Sequence, residues 1–408
     1  MTNKQAAIKI VKRLSKEGFE ALLAGGCVRD MLLGRQASDY DVATSAKPDQ
    51  IMSIFPRTLK VGAKFGVVIV LMEANQVEVA TFRSESAYSD GRHPGSVTFT
   101  DAASDAGRRD FTINGMFYDL PQQKLIDYVN GHADLENKIV RTIGKPGERF
   151  EEDYLRMLRA VRFSTQLNFT IEPSTFSAIC ENAEKITQIS GERIAIELEG
   201  ILANPNRTNG AELLIRTELA GAIFPGFNKN QAKLALVILK NLPKKTDFPL
   251  ALAGFFAGCE TKFALEKITI LKLSRNQTKH IKFLLVNRGK WLDEDMSLAQ
   301  LKITLAEPYF WDLYEFEKAI RKTAGCRKDI AALRRIRKRI KSLGDIELKP
   351  KPLLNGNDLI KLGTAPGPKL GQLAQEIYIA QLEGTLQTPK QARHWAELWL
   401  HKHHFTEQ

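Results

Sequence analysis

Residues 25–45 read GGCVRDMLLGRQASDYDVATS, and they bring two adjacent glycines, an arginine and an Asp-x-Asp pair into one short stretch. Residues two apart on an extended strand project from the same face, so Asp39 and Asp41 can stand side by side. Carboxylates held that way repel each other, and a hard cation such as Mg²⁺ relieves the repulsion. Most Asp-x-Asp pairs are solvated turns, so the neighbours decide the reading. Gly25–Gly26 follows a strand-like run, where the missing Cβ atoms let backbone N–H groups approach a phosphate, and Arg29 is suited to grip phosphate oxygens. This is not a Walker loop. No G-x-x-x-x-G-K-[ST] occurs, and TIGKPG at 142–147 has Pro where Ser or Thr is required.

Three further segments extend the pattern. A phosphoryl transfer assisted by two metals needs another carboxylate near the attacking hydroxyl, and Glu78 is an acid inside the otherwise apolar strand 77-VEVATFR-83; its plain alternative is an edge-facing strand residue. In 108-RRDFTIN-114, Arg108, Arg109, Asp110 and Asn114 are suited to phosphates and sugar hydroxyls, or form a solvated loop start. In 152-EDYLR-156, Asp153 and Arg156 are three apart on an expected helix, which supports an intrahelical ion pair. They also suit a sharper role: Asp accepts from an exocyclic amine while Arg donates to a ring acceptor, reading a base edge without a template.

The rest of the chain sets bounds. At 408 residues it is too long for one compact core, and two to four domains are expected. The net charge of +12 favours a polyanionic partner, because clustered Lys and Arg displace counterions condensed on phosphates. No run of eighteen apolar residues is present, so no membrane span is expected. The first residues read as an amphipathic helix over roughly 3–17 without the apolar block of a signal peptide. Cys27, Cys180, Cys259 and Cys326 are far apart, which argues against a disulfide framework or zinc cluster and for a cytoplasmic setting.

Texture changes near residue 146. Before it, 66-GVVIVLME-73 and 76-QVEVATFR-83 predict a hairpin turning at Ala74–Asn75, residues 84–107 a mobile loop flanking a short strand, and 111–120 with 124–129 further strands. After it, 152–167 has helical periodicity, Ser190 is a plausible N-cap for 191–203, and helices continue to the end. No fixed-period repeat stands out.

Taken in order, GGCVRDMLLGRQASDYDVAT, VGAKFGVV, VEVATFR, RRDFTIN, DYVNGHADL, RFEEDYLRMLRAVRF and SGERIAIEL resemble the class II tRNA nucleotidyltransferase and bacterial poly(A) polymerase family over roughly residues 20–205. The resemblance implies an α+β head, a nucleotidyltransferase palm with a small mixed β-sheet (1–145), followed by an all-α neck (146–205), body (206–325) and tail (326–408). It implies that Asp39 and Asp41 bind catalytic Mg²⁺ and that Glu78 completes the acidic set. Gly26 and Arg29 would contact the triphosphate, Arg109 and Asp110 the phosphate and ribose, and Asp153 and Arg156 the base, assisted by Arg159 and Arg162. SGERI would be structural. Gly115 stands where the family usually has Ala, which would loosen that turn.

The implied activity is template-independent addition of CCA, from CTP and ATP, to the tRNA 3′ end by two-metal phosphoryl transfer. An A-adding enzyme is the second reading, since 381-QLEGTLQT-388 resembles those enzymes. CC addition is disfavoured by the near full-length loop between 83 and 108, and poly(A) polymerase by VGAKFGVV and SGERI. A sugar transferase would not need the ED-x-x-R pair, and a non-catalytic RNA-binding protein leaves the three acids without purpose. Farther on, 326–344 has an apolar stripe at Ile330, Leu333, Ile336 and Ile340, with Arg334, Arg335, Arg337, Lys338, Arg339 and Lys341 beside it, expected to meet tRNA phosphates. Pro366–Gly367–Pro368 reads as a rigid turn. His401, His403 and His404 lack ligand partners at sensible spacing, and no His-Asp dipeptide of an appended phosphohydrolase domain occurs. Oligomeric state is left open.

Overall fold

A computed structural model describes residues 1–60, 65–85, 96–289, 293–344 and 346–404. The first part of VGAKFGVV and the middle of the expected 84–107 loop lie outside them, as do the side chains of His403 and His404.

Helix α1 (Asn3–Lys16) begins where Thr2 and Gln5 cap each other reciprocally. It buries Ala6, Ala7, Ile10, Val11 and Leu14 along one stripe, and this face packs across strands β1 (Ala21–Ala24), β2 (Asp41–Thr44) and, later in the chain, Asn75–Thr81. Helices α2 (Gly26–Leu32) and α3 (Pro48–Ile54) follow β1 and β2. The sheet is completed by β3 (Thr58–Leu59), β4 (Val67–Met72) and β5 (Asn75–Thr81), then, past a separate ribbon of β6 (Arg83–Glu85) and β7 (Val97–Phe99), by β8 (Phe117–Asp119) and β9 (Lys124–Ile126). Seven strands are ordered β3-β4-β5-β2-β1-β8-β9, with β2 and β5 parallel and the other pairs antiparallel. The mixed sheet agrees with the expected palm.

Period-2 alternation gives this sheet two apolar faces. Leu23, Val42, Val68, Val70, Val77 and Val79 join α1, while Leu22, Ala24, Ala43, Phe82 and Phe117 join Ala102 and Ala106 of α4 (Ala102–Gly107). Two strand expectations shift. The β4–β5 turn is Glu73–Ala74 rather than Ala74–Asn75, with Glu73 in the left-handed region at φ 56°. Residues 112–114 form a 3₁₀ turn, not a strand, and α4 occupies the end of the expected loop.

Beyond α5 (Gly131–Glu136), the chain is helical apart from a two-residue parallel pairing of Ile139–Val140 with Thr170–Ile171. Helices α6 (Pro146–Glu152), α7 (Leu155–Leu167), α8 (Pro173–Asn182) and α9 (Gly191–Leu202) cover the stretch expected to be the neck, and α7 packs against α9 and against the next helix, Arg207–Arg216. One apolar core runs from Ala6 to Ala319, and a second forms among Leu354, Leu359, Leu373, Ile377, Leu386, Ala392, Ala396 and Trp399 near the C-terminus. Ser190 precedes α9 as expected but makes no capping hydrogen bond with its side chain.

Gly191 fixes the junction of neck and body. A Cβ there would fall 1.8 Å from the Ile270 carbonyl oxygen, backbone that cannot swing aside. Gly191→Ala therefore lowers stability by roughly 1–3 kcal/mol in denaturant unfolding; a midpoint matching wild type would contradict this packing.

Candidate active site

Asp41 opens β2 opposite Ala24, and β2 lies beside β5 with Val42 paired to Val79. One step back along that parallel register are Asp41 and Glu78, so both acids project from the face opposite α1. Asp39 sits in the loop just before. The Asp41 carboxyl keeps an exposed edge, yet the surrounding cleft and its acidic neighbours act on it strongly. Burial first, then the charges of Glu78 and Asp39, push it up to about 6 against the opposing pull of Arg109. The sequence-expected trio is thus electrostatically one site. Its donors are all carboxylate oxygens under mutual repulsion, which fits a hard divalent cation.

A polar chain leads away from these acids. Gly25, at φ 72°, leaves room where a Cβ would meet Arg109 Nη1 at 3.0 Å. Arg29, on the first turn of α2, is buried; its Nη1 donates to Asn114 Oδ1 at 2.7 Å and its Nε to Asp30 Oδ1 at 2.9 Å. Asn114 Nδ2 donates to Asp110 Oδ1 (3.2 Å), and Asp110 Oδ2 accepts from Arg159 Nε (2.9 Å) and Nη2 (2.6 Å). Arg159 Nη1 lies 3.8 Å from Glu197 Oε1, whose other oxygen accepts from Arg162 Nε at 2.5 Å. Arg29, Arg159 and Arg162 all sit over the Phe163 ring, at 5.4, 5.3 and 4.3 Å from its centroid. Arg109 joins at the Asn114 carbonyl, to which its Nη1 donates at 3.3 Å; Asp105, a buried acid, accepts from its Nη2 at 3.0 Å and from Arg108 Nε at 2.8 Å, while the guanidinium lies 4.9 Å over Phe117.

The expected helix at 152–167 is interrupted. α6 ends at Glu152, Asp153 is extended (φ −156°, ψ 103°), and its Oδ1 accepts from Leu155 N at 3.1 Å as α7 starts. An acid just before a helix satisfies an orphan N–H better than it would inside one. Asp153 and Arg156 make no intrahelical ion pair. Instead Asp153 Oδ2 accepts from Arg193 Nη2 at 2.7 Å, and Arg156 donates to Glu152 and to the Arg149 carbonyl (2.9 Å). Arg193 belongs to SGERI, expected to be structural only, and it touches the proposed base reader directly. The notch at Gly115 is also filled rather than loose, since a Cβ would lie 2.6 Å from Val129 Cγ2 and 3.0 Å from Ile143 Cδ1.

The basic segment forms helix Arg327–Ser342, with Leu333 and Ile336 buried and Ile330 and Ile340 half-buried. Its six cations split. Arg334, Arg337, Lys338 and Lys341 line a groove of about 420 Å³ with Tyr314, Lys318 and Lys322. Arg335 pairs with Glu294, and Arg339 donates to the Met296 carbonyl at 2.5 Å, so these two fasten the helix to the body. His401 is exposed. All four cysteines are free, as their spacing implied, and among the described residues no helix is long and apolar enough to cross a membrane. Asp105, Arg193, Glu197 and Phe163 were missed by sequence reasoning: Asp105 pairs locally with Arg108 and Arg109, whereas Arg193, Glu197 and Phe163 are revealed by their tertiary contacts.

Residues 21–141 match the poly A polymerase head domain, and residues 168–230 match the family described as the probable RNA and SrmB-binding site of polymerase A. The CCA-adding enzyme of Lactobacillus johnsonii is 36% identical over 391 residues, covering 93% of this chain and 94% of the relative. That of Geobacillus stearothermophilus is 33% identical over 399 residues, 95% of each. Among solved structures, Bacillus stearothermophilus CCA-adding enzyme in complex with CTP superimposes over the full length of both chains with TM-score 0.83 at 29% identity. The Thermotoga maritima CCA-adding enzyme complexed with tRNA shares the fold at TM-score 0.67 and 21% identity. The head, the acid-bearing sheet and the helical remainder define a nucleotidyltransferase of the polymerase-head class. This chain belongs to the class II tRNA nucleotidyltransferase family, and it is an enzyme.

Asp110 offers a pH test of the polar chain. Burial alone would raise its carboxyl, but the charge and hydrogen bonds of Arg159, with Asn114, outweigh it and hold the group at about 2, below the ordinary 3.8. A depressed carboxyl adds stability above its unfolded value that is lost as pH falls through the folded one. The stability gap between wild type and Asp110→Asn is therefore full at pH 6 and shrinks between about pH 4 and 2, read by urea midpoints. A gap unchanged across that window would refute the ion pair.

Proposed function

We propose that this chain completes the tRNA 3′ end with CCA, taking CTP and ATP and releasing pyrophosphate. The observation that supports this most is the unbroken polar chain from Arg29, near the acids, through Asn114, Asp110 and Arg159 to Glu197 and Arg162 on the neck. It joins Arg29, which would receive the triphosphate, to the neck helix that also carries Arg156. The named relatives, similar over nearly their whole length and CCA-adding in each case, support the same reading.

Asp39, Asp41 and Glu78 would hold divalent cations of the Mg²⁺ type. When bound, such ions lower the barrier to attack by a hydroxyl and neutralise charge on the departing phosphates. The chain's own groups do the positioning. Gly26 and Arg29 receive the triphosphate, with Arg29 kept in line by Asn114 and Asp30. Arg109, aimed by Asp105 and Phe117, meets phosphate oxygens, and Asp110 holds the site's wall and the ribose side. Asp153 accepts from the exocyclic amine that cytosine and adenine share, while Arg156 donates to a ring acceptor; Arg159 and Arg162 support that wall. Arg193 and Glu152 orient the two readers, acting as positioning residues. U and G carry a carbonyl where C and A carry that amine, so they face the Asp153 carboxylate with a second acceptor, a loss of about 1–3 kcal/mol. Working divisions of head 1–145, neck 146–205, body 206–325 and tail 326–408 follow, with the groove of Arg334, Arg337, Lys338 and Lys341 offered to tRNA phosphates.

Transcripts ending at the discriminator base, at C and at CC, incubated with CTP and ATP separately, test the reading. The expected result is CMP addition to the first two and AMP addition to the third. Extension of only the CC-ended transcript, with ATP alone, would instead make this an A-adding enzyme. Asp39→Ala with Asp41→Ala abolishes every addition while tRNA affinity stays within about twofold; residual addition would remove the acids from the metal site.

A further inference from the structure

Outside the head, three body helices converge on one histidine. His280, on helix Arg275–Asn287, is 6% exposed, and its ring stacks on Tyr309 with centroids 4.0 Å apart and planes 12° from parallel. Its Nε2 lies 3.0 Å from Asp312 Oδ2 on helix Phe310–Thr323, and its Nδ1 lies 3.7 Å from Asp247 Oδ2 at the start of helix Phe248–Phe255. Close as it is, the Nε2 contact does not meet hydrogen-bond geometry, so a buried ring nitrogen is left without a hydrogen-bond partner. Such groups are rare and unfavourable unless something else satisfies them.

We propose that Asp247, His280 and Asp312 form a structural site for a zinc-type divalent cation, independent of the catalytic acids. One ligand atom from each residue already lies within 4.8 Å of the other two. Zinc bonds of about 2.0–2.2 Å set tetrahedral ligands about 3.3 Å apart, so the 3.0 Å separation of Nε2 and Oδ2 is near the required spacing. Asp247 Oδ1 accepts from Leu250 N at 3.0 Å as a helix cap, which fixes the side chain while Oδ2 remains to ligate. Tyr309, stacked on the imidazole, fixes the ring plane. The mixed nitrogen and oxygen set favours a borderline ion over Mg²⁺, which prefers oxygen alone. Both aspartates retain solvent contact, at 51% and 37% of their side-chain surface, giving water access to a fourth position. A bound ion would lock three helices together, and the rival is a histidine ion-paired between two carboxylates.

Chelator-stripped full-length chain is titrated with Zn²⁺ alone by calorimetry, beside His280→Gln, Asp312→Asn and the Asp39→Asn/Asp41→Asn double variant. Wild type and the head variant bind one equivalent that both body variants lose, and Zn²⁺ raises the thermal midpoint of wild type but not of Asp312→Asn. Unchanged stoichiometry in the body variants, or no body-dependent equivalent in wild type, overturns the site in favour of the ion-paired histidine. Asp312 is half-exposed, so Asp312→Asn carries the decision if circular dichroism shows His280→Gln unfolded.

Discussion

The ion pair between Asp110 and Arg159 is the constraint on which the rest of the site depends. It joins a loop of the head to a neck helix at 2.6 Å, largely out of water. A buried pair of this kind adds modest net stability, but removing one partner strands a charge, so its main effect is to fix one register between the two parts. Everything that follows inherits that register. Asn114 transmits it to Arg29, and Glu197 transmits it to Arg162, while the Phe163 ring lies against all three of the guanidiniums of Arg29, Arg159 and Arg162.

The acids Asp39, Asp41 and Glu78 are held differently. Asp39 accepts from Ser38 Oγ at 3.0 Å and Arg109 pulls on Asp41, while the sheet sets Asp41 beside Glu78 because Val42 and Val79 point into the core beneath α1. Burial first, and then the charge of Glu78, raise the Asp41 carboxyl.

Much of this was legible in the chain. The amphipathic N-terminal helix, the β4–β5 hairpin and the apolar stripe of the basic helix rest on local periodicity, and each is present. The failures are also physical. Local spacing placed Asp153 and Arg156 on one helix, but Asp153 caps α7 from outside and turns to Arg193, forty residues on. Spacing could not separate Arg335 and Arg339, which grip the body, from the four cations that line the groove. Likewise Asp247, His280 and Asp312 share no motif, since tertiary packing alone brings their helices together.

The central claim is that chemistry resides on the sheet while nucleotide choice resides on the neck, with the Asp110–Arg159 register joining them. The most direct measurement is the kcat/KM ratio of CTP to UTP for Asp153→Asn on a tRNA awaiting C. The account predicts that discrimination falls by about tenfold or more while single-turnover addition from saturating CTP stays within about tenfold of wild type. Unaltered discrimination, including an equal fall in kcat/KM for CTP and UTP, would contradict it.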